Sequence, residues 1–148
     1  VSVPELGTIK AKVKPLVFLT SNNTREMSDA LKRRCLHLHI PFPEAKLERR
    51  ILERRVPGLS ATLNRELVAF IQAVRQMDLK KQPSVSETID WAKTLLLLHA
   101  EHLSLDMVKG TLNVFLKFEQ DIASASEQLP ALLQQARKDA EIPRASHA

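Results

Sequence analysis

Two pairs of histidines stand at spacings that metal ligands can use: His37 and His39, on one face of a strand, and His99 and His102, one turn apart on a helix. The first pair lacks the further ligands of a metal site and reads as polar residues on an outward or interface face. The second pair falls near a helix C-terminus, where imidazoles complement the helix dipole. No metal site is expected. Phosphate chemistry has no cradle here either. Gly7, Gly58 and Gly110 are the only glycines, and none begins a G-x-x-x-x-G-K-[ST] loop. No strand ends in an acidic pair suited to Mg²⁺, and no G-x-S-x-G nucleophile elbow occurs. Taken alone, the chain encodes no visible catalytic machinery.

The charged residues are more suggestive. Twenty-two basic and 17 acidic residues leave a net charge of +5, and many of the cations come in doublets: Arg33-Arg34, Arg49-Arg50, Arg54-Arg55 and Lys80-Lys81. Such a surface could attract nucleic acid or an acidic protein face. With five Phe, one Trp and no Tyr, a stacking platform for single strands is disfavoured. The lone Cys35 cannot form an internal disulfide, which points to a reducing cytoplasm. Apolar runs such as Leu95 to Leu98 are far too short for a membrane span. Val1 begins the chain with neither an initiator Met nor a signal-peptide pattern, as expected of a processed chain or a fragment.

Two styles of sequence meet near residue 43. Ahead of it, Val3 to Ile9 reads as a turn between two extended pieces, a short β hairpin. Leu16-Val17-Phe18-Leu19-Thr20 is a continuous apolar run, as in a strand covered on both faces. Ser21 to Thr24 is a turn cluster that stops it, and Glu26 to Arg33 is a short helix, with Thr24 or Ser28 as its cap. Cys35 to Ile40 alternates, placing Leu36, Leu38 and Ile40 on one strand face. Pro41-Phe42-Pro43 ends that strand.

Helical periodicity follows. Glu44 to Val56 turns Leu47, Ile51 and Leu52 inward and carries Lys46, Arg50 and Arg54 on a solvated stripe. After the Pro57-Gly58 break, Ser60 caps a helix whose inner face is Leu63, Leu67, Phe70, Ile71 and Val74. Asp78 to Pro83 is a polar loop. Ser84 and Glu87 form a capping box for a helix with Ile89, Ala92, Leu95 and Leu96 inward. Ser104 caps a further helix with Val108, Leu112, Phe115 and Leu116 inward. Pro130 suits the first turn of a last short helix holding Leu132, Leu133 and Ala136. The fold class is therefore mainly α: a hairpin and two strands in residues 1–43, a four- to five-helix bundle in 44–142, and a disordered tail in 143–148.

The segment from Pro15 to Cys35 carries a resemblance. An apolar strand ends in Thr20-Ser21-Asn22, and a short helix delivers Leu31-Lys32-Arg33-Arg34-Cys35 into a second strand. This resembles the stretch of AAA+ ATPases that runs from sensor 1 to the arginine finger. Arg34-Cys35 is similar to the Ser-Arg-Cys finger motif of clamp loaders and the Asp-Arg-Phe of MoxR proteins. Pro83 to Lys93, which contains Trp91, resembles the start of a lid helix in the MoxR branch paired with von Willebrand A domain proteins. Val3 to Ile9 resembles the hairpin that precedes sensor 1. The likeness runs from Val1 to about Glu127.

The resemblance implies that residues 1–43 are the end of a P-loop α/β core and residues 44–142 a lid. Asn22 then matches sensor 1, an amide that can donate to the γ-phosphate and accept from water at once. Arg34 matches the finger acting on a neighbouring subunit's nucleotide, with Arg33 as a second contact in trans. ATP and Mg²⁺ would be held by the full-length protein, with neither bound tightly by this segment. Partners would be further copies in a ring, expected to be a hexamer, and a von Willebrand A domain protein. One position departs from the family pattern. Many AAA+ proteins carry a sensor 2 arginine near the start of the third lid helix, whereas Ser84-Val85-Ser86-Glu87 has none. Lys80 and Lys81, just before it, are candidates to substitute. Trp91 is expected in the lid core. The competing reading is a basic helical module that binds nucleic acid along Lys46, Arg50 and Arg54, with Glu48 and Glu53 diluting its field.

Overall fold

Serine hydroxyls start three of the helices. Leu63 donates its amide to Ser60 Oγ (3.1 Å), Glu87 to Ser84 Oγ (3.4 Å) and Met107 to Ser104 Oγ (3.3 Å). Each bond satisfies an amide that the helix itself leaves without a partner. The capping box is complete at Ser84, whose own amide donates to Glu87 Oε2 at 2.7 Å.

In this computed structural model, residues 2–3, 7–8, 13–21 and 28–141 are described. The chain divides into two compact units, Val1–Ile40 and Pro41–Ala148. The second unit is built from α2 (Ala45–Arg55), α3 (Ala61–Val74), α4 (Val85–Leu97), α5 (Leu105–Phe115) and α6 (Glu119–Glu141). Breaks follow local chemistry. Gly58 takes a φ of 94° beyond α2, a left-handed conformation in which a side chain is strained. His99 adopts a φ of 53° beyond α4, where its amide donates to Leu96 O and the Ala100 amide to Leu95 O. That is a Schellman ending with His in the place glycine usually takes.

The core of this unit is aromatic at its centre. Trp91 lies 4.5 Å from Phe115 and 5.5 Å from Phe70, ring centroid to ring centroid, with Phe70 and Phe115 edge to face. The indole N–H, which burial would otherwise leave without water, donates to Thr111 Oγ1 at 2.9 Å. Leu63, Leu67, Phe70, Ile71 and Val74 of α3 are all buried, as their spacing requires.

Two helical expectations change. Leu47 is half-exposed on α2, while Glu48 and Leu52 are its buried residues. A helix can bury only one stripe, and Glu48 lies one turn before Leu52 on that stripe. Leu96 is partly buried and packs against the core that Ile89, Ala92 and Leu95 enter, as expected of α4. Pro130 does not open a short helix but sits inside α6, twelve positions along its 23 residues. One missing amide there is outweighed by a continuous inner face of Ala125, Leu129, Leu132, Leu133 and Ala136, which packs along α3.

In the first unit, β1 (Ser2–Val3) and β2 (Gly7–Thr8) pair antiparallel, Ser2 opposite Thr8 and Val3 opposite Gly7. The expected helix is a single turn, α1 (Asp29–Lys32), among the described residues. Thr24 and the start expected at Glu26 fall outside them, as does the tail 143–148. Neither expected core strand forms. Residues 16–20 and 36–40 join no ladder among the described residues, and their apolar side chains lie in solvent: Leu16 and Phe18 are 83% exposed, and Leu36, Leu38 and Ile40 more than 80%. A strand is a shared structure, whose amides and carbonyls need a neighbour.

Candidate functional site

Arg33 and Arg34 follow α1 directly. Asp29 lies in its first turn and Lys32 in its last, and the turn closes with the Arg33 amide on Asp29 O and the Arg34 amide on Leu31 O, each at 3.0 Å. Both arginines are exposed, and neither enters an ion pair among the described residues. Lys32, Arg33 and Arg34 thus follow one another through an exposed turn that these backbone bonds close. Asn22 lies outside the described residues, so its separation from Arg34 is not defined. His37 and His39 fall in the exposed segment 36–40. His102 Nδ1 sits 3.0 Å from Glu66 Oε1, and the second oxygen of that carboxylate accepts the Leu103 amide at 2.8 Å.

The lysine pair before α4 is already engaged. Lys81 Nζ bonds Glu87 Oε1 at 2.8 Å, and Lys80 Nζ stands 4.3 Å from the Phe118 ring centroid. Their amides donate to the two oxygens of the buried Asp121, at 2.9 and 3.2 Å, which pins the loop to α6. Burial pushes the Glu87 carboxyl up, but the Lys81 ammonium and the Ser84 amide and hydroxyl outweigh it, holding Glu87 below its ordinary value of 4.5.

A polar cluster that the sequence reading did not anticipate lies deeper. Arg75 Nη1 and Nη2 grip Glu48 Oε2 and Oε1 at 2.7 and 2.8 Å, with side-chain exposures of 3% and 0%. Arg75 Nε donates to Pro83 O at 2.9 Å and Nη2 to Thr88 Oγ1 at 3.3 Å. Gln72 Nε2 donates to Glu48 Oε2 and to Pro43 O, and the guanidinium carbon lies 4.6 Å from the Phe42 ring centroid. The signal for it was present: Arg75 stands four residues after Ile71 and Glu48 four before Leu52. Opposite charges at two core-facing positions can meet. A buried charge reads as a solvated one, however, until the partner helix is placed.

No family model, curated protein or solved structure matches the chain. Among the described residues no helix is long and apolar enough to cross a membrane.

Proposed function

We propose that the chain is the C-terminal portion of a MoxR-like AAA+ ATPase, supplying sensor 1, a trans-acting arginine finger and the lid for ATP hydrolysis in a ring that remodels or activates partner proteins. The observation that carries this reading is the contrast between the units. The helical unit has its own core, whereas the apolar runs 16–20 and 36–40, which flank Arg33-Arg34 in the sequence, stay exposed. Runs of that composition fit interior strands of a sheet whose other strands lie elsewhere. Their order, with a Thr-Ser-Asn ending and then Leu-Lys-Arg-Arg-Cys, is that of sensor 1 and the finger.

On this reading Asn22 holds the attacking water and a γ-phosphate oxygen, and Arg34 stabilises the charge that grows on the transferring phosphoryl group of the neighbouring subunit. Lys80 and Lys81 are exposed and are the candidates to stand in for a sensor 2 arginine, at the expense of surface contacts to Phe118 and Glu87 that are worth little. The partner is a von Willebrand A domain protein, and the ring is a hexamer of the full-length chain. The test mixes two defective full-length proteins, one with Arg34→Ala and one lacking its phosphate-loop lysine. Partial recovery of ATP hydrolysis in mixed rings is expected. Proven mixed assembly without recovery counts against a finger in trans.

A further inference from the structure

The chain enters the helical unit through Pro41-Phe42-Pro43 and leaves α3 through a loop ending at Pro83, and both segments converge on Arg75. Pro83 O accepts from Arg75 Nε at 2.9 Å, Phe42 lies against the guanidinium at 4.6 Å, and Pro43 O accepts from Gln72 Nε2 at 3.0 Å. The same Gln72 nitrogen donates to Glu48 Oε2 at 2.9 Å, the oxygen that Arg75 Nη1 also holds. Gln82 Nε2 returns a bond to Arg75 O at 2.8 Å.

We infer that Arg75 is a positioning residue that locks the incoming segment 42–43 and the loop leading into α4 into one rigid body. A guanidinium is a planar fork, so Glu48, Pro83 and Thr88 fix its plane together, and turning it for one partner loses the others. Little water reaches the cluster to replace a broken bond, with the Glu48 side chain at 0% and that of Arg75 at 3% exposure. The carbonyls it holds belong to prolines, whose φ is already set, so that holding the oxygen largely holds the backbone. Pro83 adjoins the Ser84 cap of α4, and Asp121 holds the Lys80 and Lys81 amides. Segment 42–43 and the loop before α4 are therefore held in one fixed relation, and a displacement of the chain at Pro41 is resisted there rather than absorbed at Phe42. This coupling does not depend on the ATPase reading.

Backbone ¹⁵N relaxation on the 148-residue chain tests it. Order parameters at Phe42, Glu44, Gln82 and Ser84 should be near the ~0.85 of rigid backbone, with lower values over residues 36–40. Arg75→Lys keeps the charge and loses the fork, so both pairs, Phe42 with Glu44 and Gln82 with Ser84, should fall below about 0.6 while α5 is unchanged. Gln72→Ala leaves the ion pair intact and should loosen Phe42 and Glu44 alone. Wild-type mobility at Phe42 equal to that of residues 36–40 would overturn the inference, as would an Arg75→Lys protein loosened on one side only. If Arg75→Lys does not fold, Gln72→Ala decides, and unchanged rigidity at Glu44 counts against the coupling.

Discussion

Glu48 and Arg75, 27 residues apart, form a two-pronged ion pair at 2.7 and 2.8 Å that solvent barely reaches. Removing one partner strands the other's charge in the core. Glu48→Ala should cost about 3–5 kcal/mol in urea unfolding, whereas replacing both at once, Glu48→Leu with Arg75→Met, should regain most of that loss. A single-variant cost below about 1 kcal/mol would show that water enters the cluster readily.

Phe70→Ala should cost about 3–5 kcal/mol, because Phe70 is fully buried against Trp91 and Phe115. Leu47→Ala should stay within about 0.5 kcal/mol, since that side chain is half in water. The pair of measurements reads directly which face of each helix is inward.

The capping box at Ser84 makes stability depend on acid. Glu87 titrates lower in the folded chain than its ordinary value of 4.5, so the unfolded chain takes up its proton first as pH falls. Its contribution is fully present above the unfolded value and disappears as pH drops through the folded one. Glu87→Gln should therefore flatten the acid limb of a stability-against-pH curve below about pH 5 while changing little in the slope near pH 7. Ser84→Ala should cost about 1 kcal/mol at neutral pH. An acid limb that is the same in Glu87→Gln and the parent chain would assign the acid sensitivity to other carboxylates.

Residues 16–20 and 36–40 should drive self-association of the chain, because their apolar side chains are exposed and their backbones join no ladder among the described residues. Sedimentation should show concentration-dependent species above the monomer. Phe18→Ser together with Leu38→Ser should shift the distribution towards monomer with the helical signal unchanged.

On the proposed AAA+ reading, Arg34→Ala in a full-length protein should slow ATP hydrolysis by ~10³–10⁵, with ATP affinity within a few fold. Arg34→Lys should not rescue it, because an ammonium lacks the planar fork. Equal losses in affinity and turnover would place Arg34 in ground-state binding or in the fold.

Local sequence is enough to account for the starts of α3, α4 and α5 and for the way α3 faces. Ser60, Ser84 and Ser104 act on amides three residues away, and the 3.6-residue period of Leu63, Leu67, Phe70, Ile71 and Val74 is a local property. Asn22 and Arg34 were singled out by motif order alone, and motif order carries no distance between two side chains. Tertiary structure decided what depends on a partner distant in sequence. It turned Glu48 inward and Leu47 outward once Arg75 was there to meet the carboxylate, and it carried α6 through Pro130 because α3 offered a continuous apolar face. It also left residues 16–20 and 36–40 without strand structure, since the hydrogen bonds that make a strand are shared with another chain segment, and composition cannot provide them.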